Sequence, residues 1–314
     1  MTTILQNFPF SEYLEQGLAK RGEVIKWYAM DAAAQAAWLE KHAHEVKAVA
    51  TAGHIGCSSA LLTALPSLQV IAINGVGFDK VELPLAWSRG IHVTTTPDML
   101  TDDVADLGVG LIIALLRRLP AADHYVRSGQ WLQAEMPLAV KVTGKRFGIF
   151  GLGKIGAALA QRLSAFGPVH YSSRTQKEVP WHYHASVREL AAAVDVLVIA
   201  SAANADTRGI VNAEVLAALG PQGYLVNVAR GAIVDEAALV AALEAGTLAG
   251  AALDVFVDEP RVPKALCENG KVVLSPHIAS ATAETRKGMA DLVLANLDAA
   301  LAGKVPPSAL KQPR

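Results

Sequence analysis

Three residues able to handle charge and protons stand just past three short apolar runs in the C-terminal half of the chain. Arg230 follows YLVNVA within NVARGAIVDE (227–236), Glu259 follows GAALD within DVFVDEP (254–260), and His277 follows KVVL within LSPHIAS (274–280). If each run is a strand of one open α/β sheet, its C-terminal edge is where ligands bind. The three side chains are then expected to meet there. A guanidinium can fork onto a carboxylate and polarise the carbonyl beside it. An imidazole titrates near neutrality and can give up a proton. A carboxylate on its other ring nitrogen fixes the tautomer and favours the imidazolium. Together these groups suit the reduction of a 2-oxo acid. Arg230 would hold the carboxylate, His277 would protonate the developing alkoxide, and Glu259 would orient His277. Each residue alone is more often structural or solvated; their shared position carries the reading.

Such chemistry needs a hydride carrier, and GIFGLGKIG (148–156) has the glycine pattern that binds a dinucleotide. Gly151 ends a strand-like run and an Ala-rich helical run follows. Gly151 permits the tight turn, Gly153 lets pyrophosphate approach the backbone, and Gly156 lets the helix pack closely on the sheet. The helix N-terminus offers its unpaired N–H groups to phosphate. About twenty residues past the first glycine such motifs carry an acid for the ribose hydroxyls. Here the stretch reads HYSSRTQK (170–177). Ser172 and Ser173 are neutral, Arg174 can fork onto phosphate, and Lys177 adds a second cation. The stretch favours NADPH; the alternative is a solvated Arg174 and use of NADH.

The elements that must position these groups are legible as alternating patterns. VKAVATA (46–52), LQVIAIN (68–74), RFGIFG (146–151), PVHYSS (168–173), VDVLVIAS (194–201), GYLVNVA (223–229) and GAALDVF (250–256) read as strands, most of them nearly continuous apolar runs. That pattern fits parallel strands covered by helices on both faces. Helical runs such as AALVAALEAG (237–246), ended by Gly246, lie between them. The fold class is α/β, with two Rossmann-like doubly wound parallel-sheet domains and an expected active-site cleft between them. Because the glycine motif comes in mid-chain, residues 1–96 with 287–314 are expected to form a flavodoxin-like substrate-binding domain, and 97–286 the dinucleotide-binding domain.

Composition narrows the function classes. Of 314 residues, 52% are apolar and 18% charged, as in a globular protein. A net charge of −1 gives no reason to expect nucleic acid or an anionic membrane as partner. Cys57 and Cys267 are the only cysteines, too few for a disulfide framework or a zinc cluster, so no metal is expected and a reducing compartment fits. MTTILQNFPFSEYLEQ lacks the basic start and apolar stretch of a signal peptide, and GVGLIIALL (108–116) is about half a bilayer span. A cytoplasmic setting is expected.

In NGVGFDKV (74–81), TPDMLTDDVAD (96–106), GLGKIG, NVARGAIVDE, ALDVFVDEP and SPHIASAT, the chain resembles the D-isomer-specific 2-hydroxyacid dehydrogenases over nearly its whole length. The resemblance implies the two-domain fold, nicotinamide-dependent hydride transfer and the roles argued for Arg230, Glu259 and His277. It implies substrate contacts from the backbone N–H groups of Val76 and Gly77, with Ser280 added to that set. Cofactor contacts are implied at Gly153, Lys154, Ile155, Ser173, Arg174, Val228 and Asp254, and Thr175, Ala202, Thr207 and Ala279 join them. It also implies a homodimer through residues about 97–140, exchanging an arm near HYVRSGQWLQAEMP (124–137). Trp131 and Met136 of that arm are read as dimer packing, with reach into a partner's pocket as the alternative.

The SSRT stretch resembles the NADPH-using glyoxylate/hydroxypyruvate reductase branch, which includes relatives that take arylpyruvates. One loop departs from the pattern. ASAANADTRG (200–209) keeps Thr207 and Gly209 but lacks the proline usual there. His54 in TAGHIGCS (51–58) is read as a solvated loop residue, with substrate contact as the alternative. Phosphoglycerate dehydrogenase shares these motifs, but the missing acid after the glycines speaks against it, as does the lack of a C-terminal regulatory domain. Formate dehydrogenase pairs its histidine with Gln where this chain has Glu259. A cofactor-sensing corepressor would keep the same residues and stays open as a second class.

Overall fold

The computed structural model describes residues 2–312. The chain divides into two compact units, one of residues up to Leu100 together with those from Ala281 on, the other Thr101–Ser280. The first unit carries β1 (Thr3–Gln6), β2 (Glu23–Lys26), β3 (Val46–Ala52), β4 (Val70–Asn74) and β5 (His92–Thr94). They pair in parallel in the order β2-β1-β3-β4-β5. The inner strands of the first sheet are buried on both faces, and their period-2 alternation shows why. Leu5, Val49, Ile71 and Ile73 face one core with Leu62. Ile4, Ala48, Ala50, Val70 and Ala72 face another, against Ala290, Val293 and Leu297 of the helix Ala283–Leu301.

The second unit carries β6 (Phe147–Phe150), β7 (Val169–Ser172), β8 (His182–His184), β9 (Val196–Ile199), β10 (Tyr224–Asn227), β11 (Gly250–Leu253) and β12 (Val272–Leu274). Their order is β12-β11-β10-β9-β6-β7-β8, parallel throughout. The chain runs outward from β6 to β8, then returns to place β9 on the other side of β6. The strand order therefore reverses beside β6, the point where doubly wound sheets open a crevice for a ligand. One face of this sheet buries Leu197, Ile199, Leu225 and Ala251 against Leu190, Val215 and Leu239 from helices. Burying each of these leucine, isoleucine and valine side chains stabilises the fold by roughly 1.5–3 kcal/mol.

The apolar stretch 108–116 lies in the helix Thr101–Leu116, which buries Gly108, Leu111, Ile112 and Leu115. Gly108 faces Leu159 of the helix Lys154–Leu163, so the stretch is core. Among the described residues no helix is long and apolar enough to cross a membrane.

Candidate active site

The glycine loop joins β6 to the helix Lys154–Leu163 at the reversal of strand order. Gly151 has φ +99°, and a Cβ there would stand 2.5 Å from the backbone of Ser201. A Cβ on Gly156 would stand 2.0 Å from the Gly151 carbonyl oxygen, so the helix can begin this close to the strand only without one. Gly153 caps the helix in extended conformation, with nothing within 4 Å of where its Cβ would be. The first turn holds no acidic residue, and Lys154 is exposed while Ile155 is half-buried. A strained turn, a close helix start and an open face at the middle glycine fit a pyrophosphate on the helix N-terminus.

β7 delivers the next stretch to the same edge. Ser172 is buried and its carbonyl accepts the Gly151 N–H at 2.9 Å. Ser173 Oγ donates to the Thr175 carbonyl at 2.8 Å, which shapes the turn, and Arg174 and Thr175 are exposed. The Lys177 ammonium donates to the Leu152 carbonyl inside the glycine loop. The turn is also held by Tyr171, whose hydroxyl accepts the Lys177 N–H at 2.8 Å. No Asp or Glu occurs from residue 172 to 177.

Arg230, Glu259 and His277 stand past β10, β11 and β12, neighbours in the sheet. His277 Nδ1 lies 2.7 Å from Glu259 Oε2, and Glu259 Oε1 accepts the Phe256 N–H at 3.0 Å. Side-chain exposures of 31% for His277 and 20% for Glu259 leave the pair open to a ligand on one side. His277 has φ +54°, uncommon without glycine. Asp254 holds it there. Its carbonyl accepts the His277 N–H at 2.8 Å. Its carboxylate accepts Ser275 Oγ at 2.6 Å, Ile278 N–H at 2.9 Å and Ala279 N–H at 3.0 Å. Asp254 is fully buried, so the structure places it, with buried Ala279, as a clamp beneath the histidine loop. Arg230 is half-buried, and its guanidinium donates to the Ala229 carbonyl at 2.7 Å.

In the second unit, the other residues expected to make contacts follow β9, β10 and β12. Val228 is buried next to the end of β10. In the loop lacking proline, Thr207 Oγ1 donates to the Ala202 carbonyl at 2.9 Å and accepts the Asn204 N–H, also at 2.9 Å. Asn204 Oδ1 accepts the Asp206 and Thr207 N–H groups, so an Asn-centred turn closes this loop. Ser280 is half-buried and ends the second unit. In the first unit, Val76 and Gly77 are half-buried in the loop after β4. His54 lies in the loop after β3 and is half-buried, its ring meeting Phe8 edge-on at 4.9 Å.

Two positioning features escape a reading of the residues alone. One is the Asp254 clamp. The other is Asn227, the last residue of β10, whose amide is spent on the backbone around Arg230. A signal existed: Asn at a strand end, two residues before a turn, is a residue type that bonds its own backbone.

Residues 109–279 match the family described as D-isomer specific 2-hydroxyacid dehydrogenase, NAD binding domain. The chain is 46% identical over 303 residues to glyoxylate/hydroxypyruvate reductase A of Arabidopsis thaliana, covering 96% of both chains. It is 47% identical over 303 residues to hydroxyphenylpyruvate reductase of Plectranthus scutellarioides, again covering 96% of both. Among solved structures, it is similar to the NADPH-dependent glyoxylate/hydroxypyruvate reductase of Sinorhizobium meliloti in complex with NADP and malonate. That likeness has a TM-score of 0.90 at 40% identity and covers 98% of this chain and 96% of that one.

Proposed function

The chain belongs to the D-isomer specific 2-hydroxyacid dehydrogenases, an NAD(P)-dependent enzyme family, and we propose that it reduces small 2-oxo acids with NADPH. Glyoxylate and hydroxypyruvate are the proposed substrates, with arylpyruvates as bulkier ones. The observation that carries this reading is the 2.7 Å pair of Glu259 and His277 on the same sheet edge as Arg230. The names of the full-length relatives support the substrate class.

The bound nicotinamide supplies the hydride. Arg230 grips the substrate carboxylate through its planar fork and draws charge toward the carbonyl oxygen. With Nδ1 turned to Glu259, His277 keeps Nε2 for that oxygen and donates the proton as the alkoxide forms. Glu259 balances the imidazolium before transfer. Hydride on carbon and proton on oxygen complete the 2-hydroxy acid. Val76 and Gly77 on the first unit, and Ser280 on the second, keep their proposed substrate contacts, and the first unit is assigned to substrate binding.

NADPH is preferred because the ribose edge presents Ser173, Arg174 and Lys177 and no acid from residue 172 to 177. A carboxylate there would repel the 2′-phosphate; a guanidinium attracts it. The enzyme is proposed to work as a homodimer in the cytoplasm. Leu119, Val126, Trp131, Leu132 and Leu138 are 49–97% exposed along residues 119–138, and an apolar stretch of that kind marks a protein contact.

Initial rates on glyoxylate, hydroxypyruvate and phenylpyruvate with each coenzyme test the reading. Turnover of at least one acid, faster with NADPH, is expected. Coenzyme binding without turnover of any of them would replace it with a cofactor sensor.

A further inference from the structure

The substrate-binding arginine is held by a neighbour that no part of the reaction touches. Asn227 is 1% exposed at the end of β10. Its Oδ1 accepts the Ala229 N–H at 3.0 Å, and its Nδ2 donates to the Arg230 carbonyl at 2.9 Å. One amide thus bonds the backbone on both sides of the Ala229–Arg230 link. The carbonyl of Asn227 accepts the Asp254 N–H at 3.0 Å, which ties this turn to the strand that leads to Glu259. The next residue tightens the tie. A Cβ on Gly231 would stand 2.0 Å from the Phe256 carbonyl carbon and 2.5 Å from the Val257 nitrogen. The Phe256 N–H in turn donates to Glu259 at 3.0 Å. The path from Asn227 through Arg230 and Gly231 to Phe256 and Glu259 is therefore continuous, with a side-chain hydrogen bond at each end and close backbone contact at Gly231.

A long arginine side chain reaches one place only if its own backbone is fixed. Arg230 is extended, with φ −146° and ψ 140°, and leads directly into the short helix Gly231–Ile233. The sharp change of direction leaves the Arg230 carbonyl off the strand ladder, where it accepts Asn227 Nδ2 at 2.9 Å and, at the longer distance of 3.3 Å, the Ile233 N–H. Without the Asn227 amide the carbonyl keeps only the longer bond from Ile233, the peptide is free to turn, and the guanidinium swings with it.

We infer that Asn227 is a positioning residue for substrate recognition, acting through Arg230 by fixing the backbone from which the guanidinium reaches the 2-oxo acid carboxylate. The inference rests on the role proposed for Arg230. Asn227→Asp is the informative change. It keeps the shape and the acceptor for Ala229, and it replaces the donor with an oxygen facing the Arg230 carbonyl. A displacement near 1 Å at a reacting group can cost about 10²-fold in rate.

The test is a double-mutant cycle of Asn227→Asp and Arg230→Ala, read as kcat/KM for glyoxylate, with the NADPH dissociation constant measured alongside. Asn227→Asp is expected to lower kcat/KM by ~10²-fold, mostly through KM, with NADPH binding changed less than about twofold. In the Arg230→Ala background the same change is expected to have almost no further effect, because the side chain it positions is gone. Losses that add in the double variant, an unchanged kcat/KM in Asn227→Asp, or a matching loss of NADPH affinity each overturn the inference. If Arg230→Ala itself leaves kcat/KM unchanged, the proposed role of Arg230 falls, and that single variant separates the two failures. Should Asn227→Asp not fold, Asn227→Ser, which retains an acceptor for Ala229, carries the same cycle.

Discussion

Glu259 Oε2 and His277 Nδ1 lie 2.7 Å apart, while the second oxygen of Glu259 is fixed by the Phe256 N–H at 3.0 Å. The carboxylate cannot rotate away without breaking one bond or the other, so the imidazole is presented in one orientation. His277→Ala is expected to lower the rate of 2-oxo acid reduction by ~10²–10⁴-fold, the usual scale for a positioned general acid. Single-turnover reduction measured by NADPH absorbance reads it directly. Near-wild-type rates would remove His277 from that role.

Arg174→Ala is expected to weaken NADPH binding and leave NADH binding little changed. Arg174 is exposed at the ribose edge, on a turn already shaped by Ser173 and Tyr171, so its removal leaves the turn standing. Paired KM values for the two coenzymes check this. Equal losses for both would show that Arg174 does not read the 2′-phosphate.

Stability is expected to decline as the solution is acidified through the histidine range. His170, His182 and His184 cluster on β7 and β8, with ring centroids 4.9–5.3 Å apart. Burial holds the His170 imidazole below its ordinary value of 6.5, and His184, His182 and Arg146 push the same way. Burial and His182 lower His184 too, against an opposing pull from Glu189. A histidine depressed in the fold takes up its proton more readily when unfolded. Its stabilisation is complete above the unfolded value and is lost as pH falls through the depressed one. Urea midpoints from pH 7.5 to 5 should fall, and the slope should flatten in His184→Gln. An identical slope in that variant would count against the cluster.

The two thiols are expected to differ sharply in reactivity. Burial pushes the Cys57 thiol up to about 12, with Arg89 opposing, whereas Cys267 is exposed. Thiolate is the reactive form. A disulfide reagent at pH 8 should titrate one thiol in the native protein and two after denaturation. Rapid reaction of both in the native protein would contradict the burial of Cys57.

By itself the sequence determined the fold class, most of the central strands and the three chemical groups. VKAVATA coincides with β3, residue for residue, and GAALDVF begins with β11 but runs past its end at Leu253; central parallel strands are buried on both faces and write long apolar runs into the chain. Not every edge strand does: KVVL marks β12, but β2 and β8 carry no such run. β2 reads EVIK and β8 reads HYH, each paired on one side only, and their existence follows from the neighbour that binds them. The histidine cluster likewise arises from register, which sets His170 opposite His182 and Ser172 opposite His184. Only the tertiary structure decided that Asp254 clamps the loop of His277, and that Asn227 braces Arg230. Both acts are hydrogen bonds to particular backbone atoms. Residue type and spacing announce which groups can do chemistry, but a hydrogen bond depends on distance and angle, and those exist only once the strands are side by side.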